Sequence, residues 1–210
     1  RHGGRYASAD SRAADQTIMD AGRERRGVRA GVVDVRRASH AIRSWQRQKG
    51  FALSAEQLGV VARLIGHGHG IDAVLGVAGA GKTTIMSAAR TAGETHGYRV
   101  EGAAVAAVAA AGLRAEAGIT SRTVASWRKR IEDGPGLRGV HVLVLDEAAM
   151  IGDRDLARLV EEAGKTRTKL VMIGDPLQLR SVAAGGSFAH VHEAVDGLTL
   201  SENRRQRREV

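Results

Sequence analysis

Lys82 closes a glycine-rich run, Val74-Leu75-Gly76-Val77-Ala78-Gly79-Ala80-Gly81-Lys82-Thr83-Thr84. The spacing of Gly76, Gly81, Lys82 and Thr83 fits the phosphate-binding pattern G-x-x-x-x-G-K-[ST]. Glycines at 76, 79 and 81, with the small Ala80 between them, let backbone N–H groups close around an anion. A helix starting near Lys82 aims its positive end at the same point. Lys82 can reach the β- and γ-phosphates, Thr83 can hold Mg²⁺, and Thr84 completes the loop. A chance glycine-rich turn would lack the flanks seen here, an apolar strand before the loop and a helical Ile85–Arg90 after it. The expected ligand is a nucleoside triphosphate with Mg²⁺.

A second chemistry sits at the ends of two other apolar runs. His141-Val142-Leu143-Val144-Leu145 ends in Asp146-Glu147, and Leu170-Val171-Met172-Ile173 ends in Gly174-Asp175-Pro176-Leu177-Gln178. Short, nearly continuous apolar runs are what a parallel sheet buries on both faces. Ligands in such sheets bind at the carboxyl ends of the strands. Asp146 is therefore expected to hold Mg²⁺ through water, and Glu147 to orient the attacking water or take its proton. The plain alternative is a solvated acidic pair at a strand end.

Two further stretches each allow two readings. Ser54 is a good N-cap with Gln57 at the capping-box position, so Gln57 is either that capping residue or a reader of adenine through its amide. Gly66-His67-Gly68-His69-Gly70 offers two imidazoles for a metal, but without a third ligand nearby it reads as a flexible connection.

The elements that must position these residues follow from the pattern of the chain. After Ser54, Leu58, Val61, Ala62 and Ile65 give a helix its buried stripe. A strand over Tyr98–Val105 is followed by an alanine-rich helix to about Glu116, and Gly118–Trp127 reads as a loop entering a short helix. Trp127 is expected in the core, the other outcome being a stacking surface for a base. Gly134-Pro135-Gly136 is a turn. A short helix over Phe188–Ala194 and a last strand, Leu198-Thr199-Leu200, precede a basic tail.

The formal net charge of +9 favours polyanionic partners, nucleic acid first. With no cysteine there are no disulfides or thiolate metal sites, which suits a reducing cytoplasmic setting. The longest nearly apolar run, Gly102 to Leu113, is too short to span a bilayer. Aromatic residues make up 3%, so Ala, Val, Leu and Ile must build the core. Residues 1–50 carry 12 Lys/Arg against 5 Asp/Glu and show no clear strand. Two short basic helices, Asp15–Arg26 and Arg36–Gln48, have thin apolar stripes, and the segment reads as a connector needing a neighbour to pack on, or as a disordered basic arm.

Taken in order, these residues resemble the first motor domain of superfamily 1 helicases of the 5′-to-3′ branch. The helicase part of MobF-class conjugative relaxases (TraA/TraI-like) is nearest, and then the exonuclease V alpha-subunit helicases. Leu53-Ser54-Ala55-Glu56-Gln57 looks like the adenine-reading Q motif, and Gly76 to Thr84 is similar to motif I. Gly102 to Leu113 resembles motif Ia, which touches single-stranded DNA, and Gly118 to Trp127 the adjoining G-I-x-S-x-T segment. Asp146-Glu147-Ala148-Ala149-Met150 looks like motif II and Gly174 to Leu179 like motif III. Asn203-Arg204-Arg205-Gln206 looks like the start of motif IV, whose arginine, here Arg205 by position, reaches the γ-phosphate. The place of the Pro-Thr or Pro-Ser pair common in motif Ia reads Ala104-Val105-Ala106, which offers no hydroxyl.

The resemblance implies an α/β, RecA-like P-loop NTPase domain over residues 51–210, with a mostly parallel central sheet flanked by helices and preceded by a basic, partly helical segment over 1–50. It implies the ATP-hydrolysing half of a DNA helicase motor, with Lys82, Glu147, Gln178 and Arg205 catalytic and Gln178 coupling hydrolysis to movement on single-stranded DNA. The sequence starts at Arg1 and stops inside motif IV, so the expectation is a piece of a relaxase-helicase that meets a second RecA-like motor domain. A P-loop kinase or AAA-type remodelling ATPase, and a nucleotide- and DNA-binding remnant without turnover, are the competing readings.

Overall fold

The computed structural model describes residues 9–177 and 186–201. Six strands form one sheet: β1 (Ile71–Gly76), β2 (Val100–Ala104), β3 (Thr120–Thr123), β4 (Val142–Leu145), β5 (Lys169–Gly174) and β6 (Leu198–Leu200). Their spatial order is β3-β2-β4-β5-β1-β6, and every neighbouring pair is parallel. The helices are α1 (Ala9–Glu24), α2 (Val35–Lys49), α3 (Ala55–Gly66), α4 (Lys82–Thr95), α5 (Ala107–Ala117), α6 (Val124–Asp133), α7 (Asp153–Thr166) and α8 (Gly186–Ala194). This is a mixed α/β fold with a parallel central sheet flanked by helices, the arrangement of RecA-like P-loop NTPase domains.

Side-chain alternation along the strands divides the core in two. Leu143, Leu145, Leu170 and Met172 face one layer, where they meet Trp127 of α6, Leu156 and Val160 of α7, and Phe188 of α8. Val144, Val171 and Ile173 face the other, against Val61 of α3, Ile85 and Met86 of α4, and Leu113 of α5. Both faces of the sheet are covered, which is why its strands read as continuous apolar runs. Trp127 is fully buried and its indole N–H donates to the Gly102 carbonyl at 2.9 Å, so it belongs to the core.

Thr120–Thr123, expected as a loop, is the edge strand β3, paired with β2 from Glu101↔Thr120 to Ala104↔Thr123. Its side chains are polar and exposed to half-buried. Among the described residues only one long edge of it is paired, so it lacks the apolar run that marks a central strand.

Residues 9–50 are more ordered than their composition implies. In α1, Ile18 is fully buried in the layer of α7 and α8, and Asp153 at the start of α7 accepts hydrogen bonds from Ser11 of α1 and Ser187 of α8. The link to α2 is stitched to the end of α3 and the loop after it: Val33 N–H donates to Ile65 O, Ala30 N–H to Gly68 O and Gly27 N–H to His69 Nδ1. Gly68 sits at φ 70°, and a Cβ there would lie 2.8 Å from the Arg29 Cα. The glycine-histidine loop is therefore a seat for the N-terminal segment. Asp34 caps α2 by accepting from Arg37 N–H at 3.0 Å, and Ala38, Ala41 and Trp45 form its buried stripe. Trp45 donates its indole N–H to Ser87 Oγ on α4 at 3.1 Å.

Truncating Trp45 to alanine removes a buried indole and leaves a cavity against α4. Loss of about 3–5 kcal/mol is expected from large-to-small aromatic changes, read as a lower denaturation midpoint at unchanged slope. A midpoint equal to that of the parent chain would show that α2 contributes nothing to the fold.

Candidate functional site

The loop between β1 and α4 has the backbone its glycines call for. Gly79 and Gly81 lie at φ 82° and 88°, in the left-handed region. Gly81 is the N-cap of α4 with no side-chain hydrogen bond to the first turn, so the helix meets the loop with amide donors available to a ligand. A Cβ on Gly81 would come within 2.2 Å of Gln57 Nε2, so close approach as well as conformation requires glycine there.

Gln57 is 2% exposed and engaged at both ends of its amide. Its Oε1 accepts from Ser54 N–H at 3.1 Å, completing the capping box in which Ser54 Oγ accepts from Gln57 N–H. Its Nε2 donates to Ala80 O at 3.3 Å. In this structure Gln57 is thus the capping residue and also a strut beneath the loop.

The strand order sets what the loop faces. β5 lies between β1 and β4, so the carboxyl ends of all three strands share one edge with the loop. Lys82 Nζ donates to Gly76 O at 2.6 Å and stands 3.6 Å from Asp175 Oδ2, just past the end of β5. The other oxygen of Asp175 accepts from Leu177 N–H at 2.8 Å. Asp175, quoted from the sequence within the strand-end run Gly174 to Gln178 but given no role of its own there, is the residue that the fold brings to Lys82. The signal was present, since it follows a buried strand as closely as Asp146 does.

Asp146 prolongs β4, donating its N–H to Ala103 O at 2.9 Å, while its carboxylate accepts from Glu147 N–H at 3.0 Å. Burial pushes the Asp146 carboxyl above its ordinary value of 3.8 and the Glu147 charge adds to this; the Glu147 N–H and the nearby Lys82 cation oppose it. Glu147 is held at φ 50°, ψ 43°, a left-handed conformation unusual for a residue with a side chain. The fully buried Ala148 and Ala149 of the following 3-10 turn pin it there. Strain of this kind, ~1–3 kcal/mol, collects at functional sites. Thr83 and Thr84 lie half-buried in the first turn of α4. Gln178 and Arg205 fall outside the described residues.

Elsewhere, Arg114, Ser121, Arg122 and Thr123 line a groove of about 380 Å³ between α5 and β3. Among the described residues no group of three or more His, Cys, Asp or Glu could hold a metal, and His67 and His69 meet edge-on, 5.9 Å apart. A recess of about 920 Å³, lined among others by Glu24, Arg25, Tyr98 and His141, opens at the opposite edge of the sheet and holds none of the expected site residues.

A protein-family model described as an AAA domain matches residues 52–210. The chain is 44% identical over 177 residues to a probable conjugal transfer protein TraA of Sinorhizobium fredii, covering 82% of this chain and 16% of that one. It is 39% identical over 197 residues to the conjugal transfer protein TraA of Rhizobium radiobacter, covering 93% and 17%. The chain thus spans about a sixth of the length of these relatives. Among solved structures, the Pif1 helicase from Candida albicans aligns with a TM-score of 0.55 at 21% identity, over 76% of this chain and 42% of that chain, a likeness of fold.

The raised pKa of Asp146 makes its ionised form a burden on the fold. That burden is absent below the ordinary value of 3.8, grows as pH rises through the folded-state value and is full above it. Asp146→Asn keeps an acceptor for Glu147 N–H without the charge, so its melting temperature at neutral pH should exceed the parent's. The gain is worth ~2–4 °C per kcal/mol in a chain of this size, and it should vanish towards pH 4. A difference that does not change with pH would mean that the charge is not the cause.

Proposed function

Because the chain belongs to the AAA domain family, as a superfamily 1-like helicase/ATPase domain related to TraA conjugal transfer proteins, we propose that its loop binds Mg-ATP and that it is the first motor domain of a relaxase-helicase acting on single-stranded DNA. The observation that carries this reading is the common edge of β1, β5 and β4, where the glycine loop and Lys82 meet the carboxylates at the ends of the other two strands. The donor set fits the ligand: the loop leaves the first turn of a 14-residue helix uncapped, and Lys82 lies beside it. Gly76, Gly79, Ala80, Gly81 and Thr84 would wrap the phosphates, with Thr83 and Asp146 holding Mg²⁺. Bound Mg²⁺ supplies positive charge to the β- and γ-phosphate oxygens.

Each of these site residues then has a distinct task. Lys82 neutralises charge that develops between the β- and γ-phosphates. Glu147 orients the attacking water and accepts its proton, and the backbone at Glu147 fixes where that carboxylate starts. Gln178 links loss of the γ-phosphate to movement of DNA, and Arg205 reaches the γ-phosphate. Residues 51–210 form the ATP-binding unit and 1–50 the connector before it. Adenine reading by Gln57 would require its amide to leave the strut it forms here. Single-stranded DNA would lie along the groove of Arg114, Ser121, Arg122 and Thr123, with a second RecA-like domain closing over the triphosphate. The lack of cysteine supports a cytoplasmic setting.

Lys82→Ala should weaken binding of a fluorescent ATP analogue strongly, since the loop keeps its backbone donors and loses its cation. Equal affinity would remove the loop as the phosphate site. In the longer protein that includes the second motor domain, Glu147→Gln should keep ATP affinity while turnover falls ~10²-fold or more, the size of a general-base contribution. Turnover at the parental rate would take that role from Glu147.

For the DNA contact, Arg114→Ala should lower affinity for single-stranded DNA. It should also reduce the dependence of log affinity on log salt by ~0.7, the share of one phosphate contact. An unchanged slope would place the contact on another surface.

A further inference from the structure

The attachments of Lys82 describe a site already closed on itself. Its ammonium donates to the carbonyl of Gly76, the last residue of β1, and stands 3.6 Å from Asp175 at the end of the adjacent strand. The two side chains are 22% and 14% exposed, so the pair is shielded from much of the solvent. The aliphatic stem of Lys82 lies over Gly76, where a Cβ would come 3.0 Å from Lys82 Cγ and 3.2 Å from Cδ. The first glycine of the loop thus makes room for the lysine in this retracted position. Leu75↔Gly174 pairing sets the ends of β1 and β5 side by side, which brings Asp175 within reach of the cation.

We infer that Asp175 is a positioning residue for Lys82: it holds the ammonium as a counter-charge, and an incoming phosphate group must displace it. This rests on the loop being a phosphate site, as proposed above. Gly76 O and Asp175 take two of the three ammonium donors and draw the group back toward the strand ends, so reaching outward to a phosphate lengthens both contacts and the pair competes with the ligand. When a phosphate takes the cation, Asp175 loses its partner but keeps Leu177 N–H, the donor that ties it to the segment leading to Gln178. The carboxylate therefore feels whether the loop is filled, at the start of the stretch that follows β5.

The test is a double-mutant cycle with Asp175→Asn and Lys82→Ala, measured on this chain with ATP, inorganic pyrophosphate and adenosine. Asp175→Asn keeps an acceptor for Leu177 N–H and removes the charge facing Lys82. It should tighten ATP and pyrophosphate about three- to tenfold, the scale of a partly shielded ion pair, and leave adenosine unchanged. In the Lys82→Ala background the same substitution should do nothing. An equal gain in both backgrounds would mean that Asp175 repels the phosphates directly, and no gain in either would remove it from the site; both overturn the inference while leaving the phosphate loop intact. Lys82→Ala binding ATP like the parent takes down the loop reading and the inference together. Asp175→Ser, whose hydroxyl can also accept from Leu177 N–H, should give the same gain. The melting temperature of each variant shows that the comparison is made on folded protein.

Discussion

A buried ion pair far from the loop decides how the loop is furnished. Lys169 at the start of β5 and Asp72 near the start of β1 meet at 2.7 Å, each 1% exposed, and Arg63 of α3 adds a second cation at 3.4 Å from the same carboxylate. Arg63 also donates to the Val195 carbonyl beyond α8. Burial lowers the Lys169 pKa below its ordinary value, and the Asp72 charge opposes that shift. Such a pair contributes little net stability compared with an apolar replacement, but separating its members is costly. Its value here is in register. With Ile71 opposite Leu170 and Val74 opposite Ile173, Asp175 falls beside Gly76. A slip by one residue would turn every side chain of β5 to the other layer and move Asp175 away from Lys82.

The candidate site was legible in the sequence because each of its parts is local. A phosphate loop needs glycines at fixed offsets, and an acid at the end of a buried strand needs only the apolar run before it. Gly76 to Thr84, Asp146 and Glu147 could be named from sequence on those grounds. Asp175 was harder because its partner lies 93 positions away, at a distance set by strand order. No pattern within one stretch reveals that β5 inserts between β1 and β4. The two readings of Gln57 show the same limit: the capping box is visible in Ser54 and Gln57, whereas the bond to Ala80 O needs the fold.

The N-terminal helices illustrate a different obstacle. Charge and sparse apolar residues hid how the N-terminal helices pack: α1 buries Ile18 and α2 buries Trp45. A helix that packs by two alanines and one tryptophan shows only a narrow apolar stripe, and alanine, small and weakly apolar, does not by itself mark a buried face. Edge strand β3 escaped for the opposite reason, its polar alternation being what a solvent-facing edge calls for.

The tryptophan of α2 has an optical consequence. The chain has two tryptophans, and both indoles are buried and hydrogen-bonded, Trp45 to Ser87 on α4 and Trp127 to the Gly102 carbonyl of β2. They lie in opposite layers of the fold. Ser87 is five residues beyond Lys82 on the same helix, so any rocking of α4 changes the polarity and quenching around Trp45 first. Trp127, on the far side of the sheet, serves as the internal standard. With two tyrosines and two fluorescent indoles in the whole chain, the emission of Trp45 is an unlabelled gauge of the phosphate-loop helix.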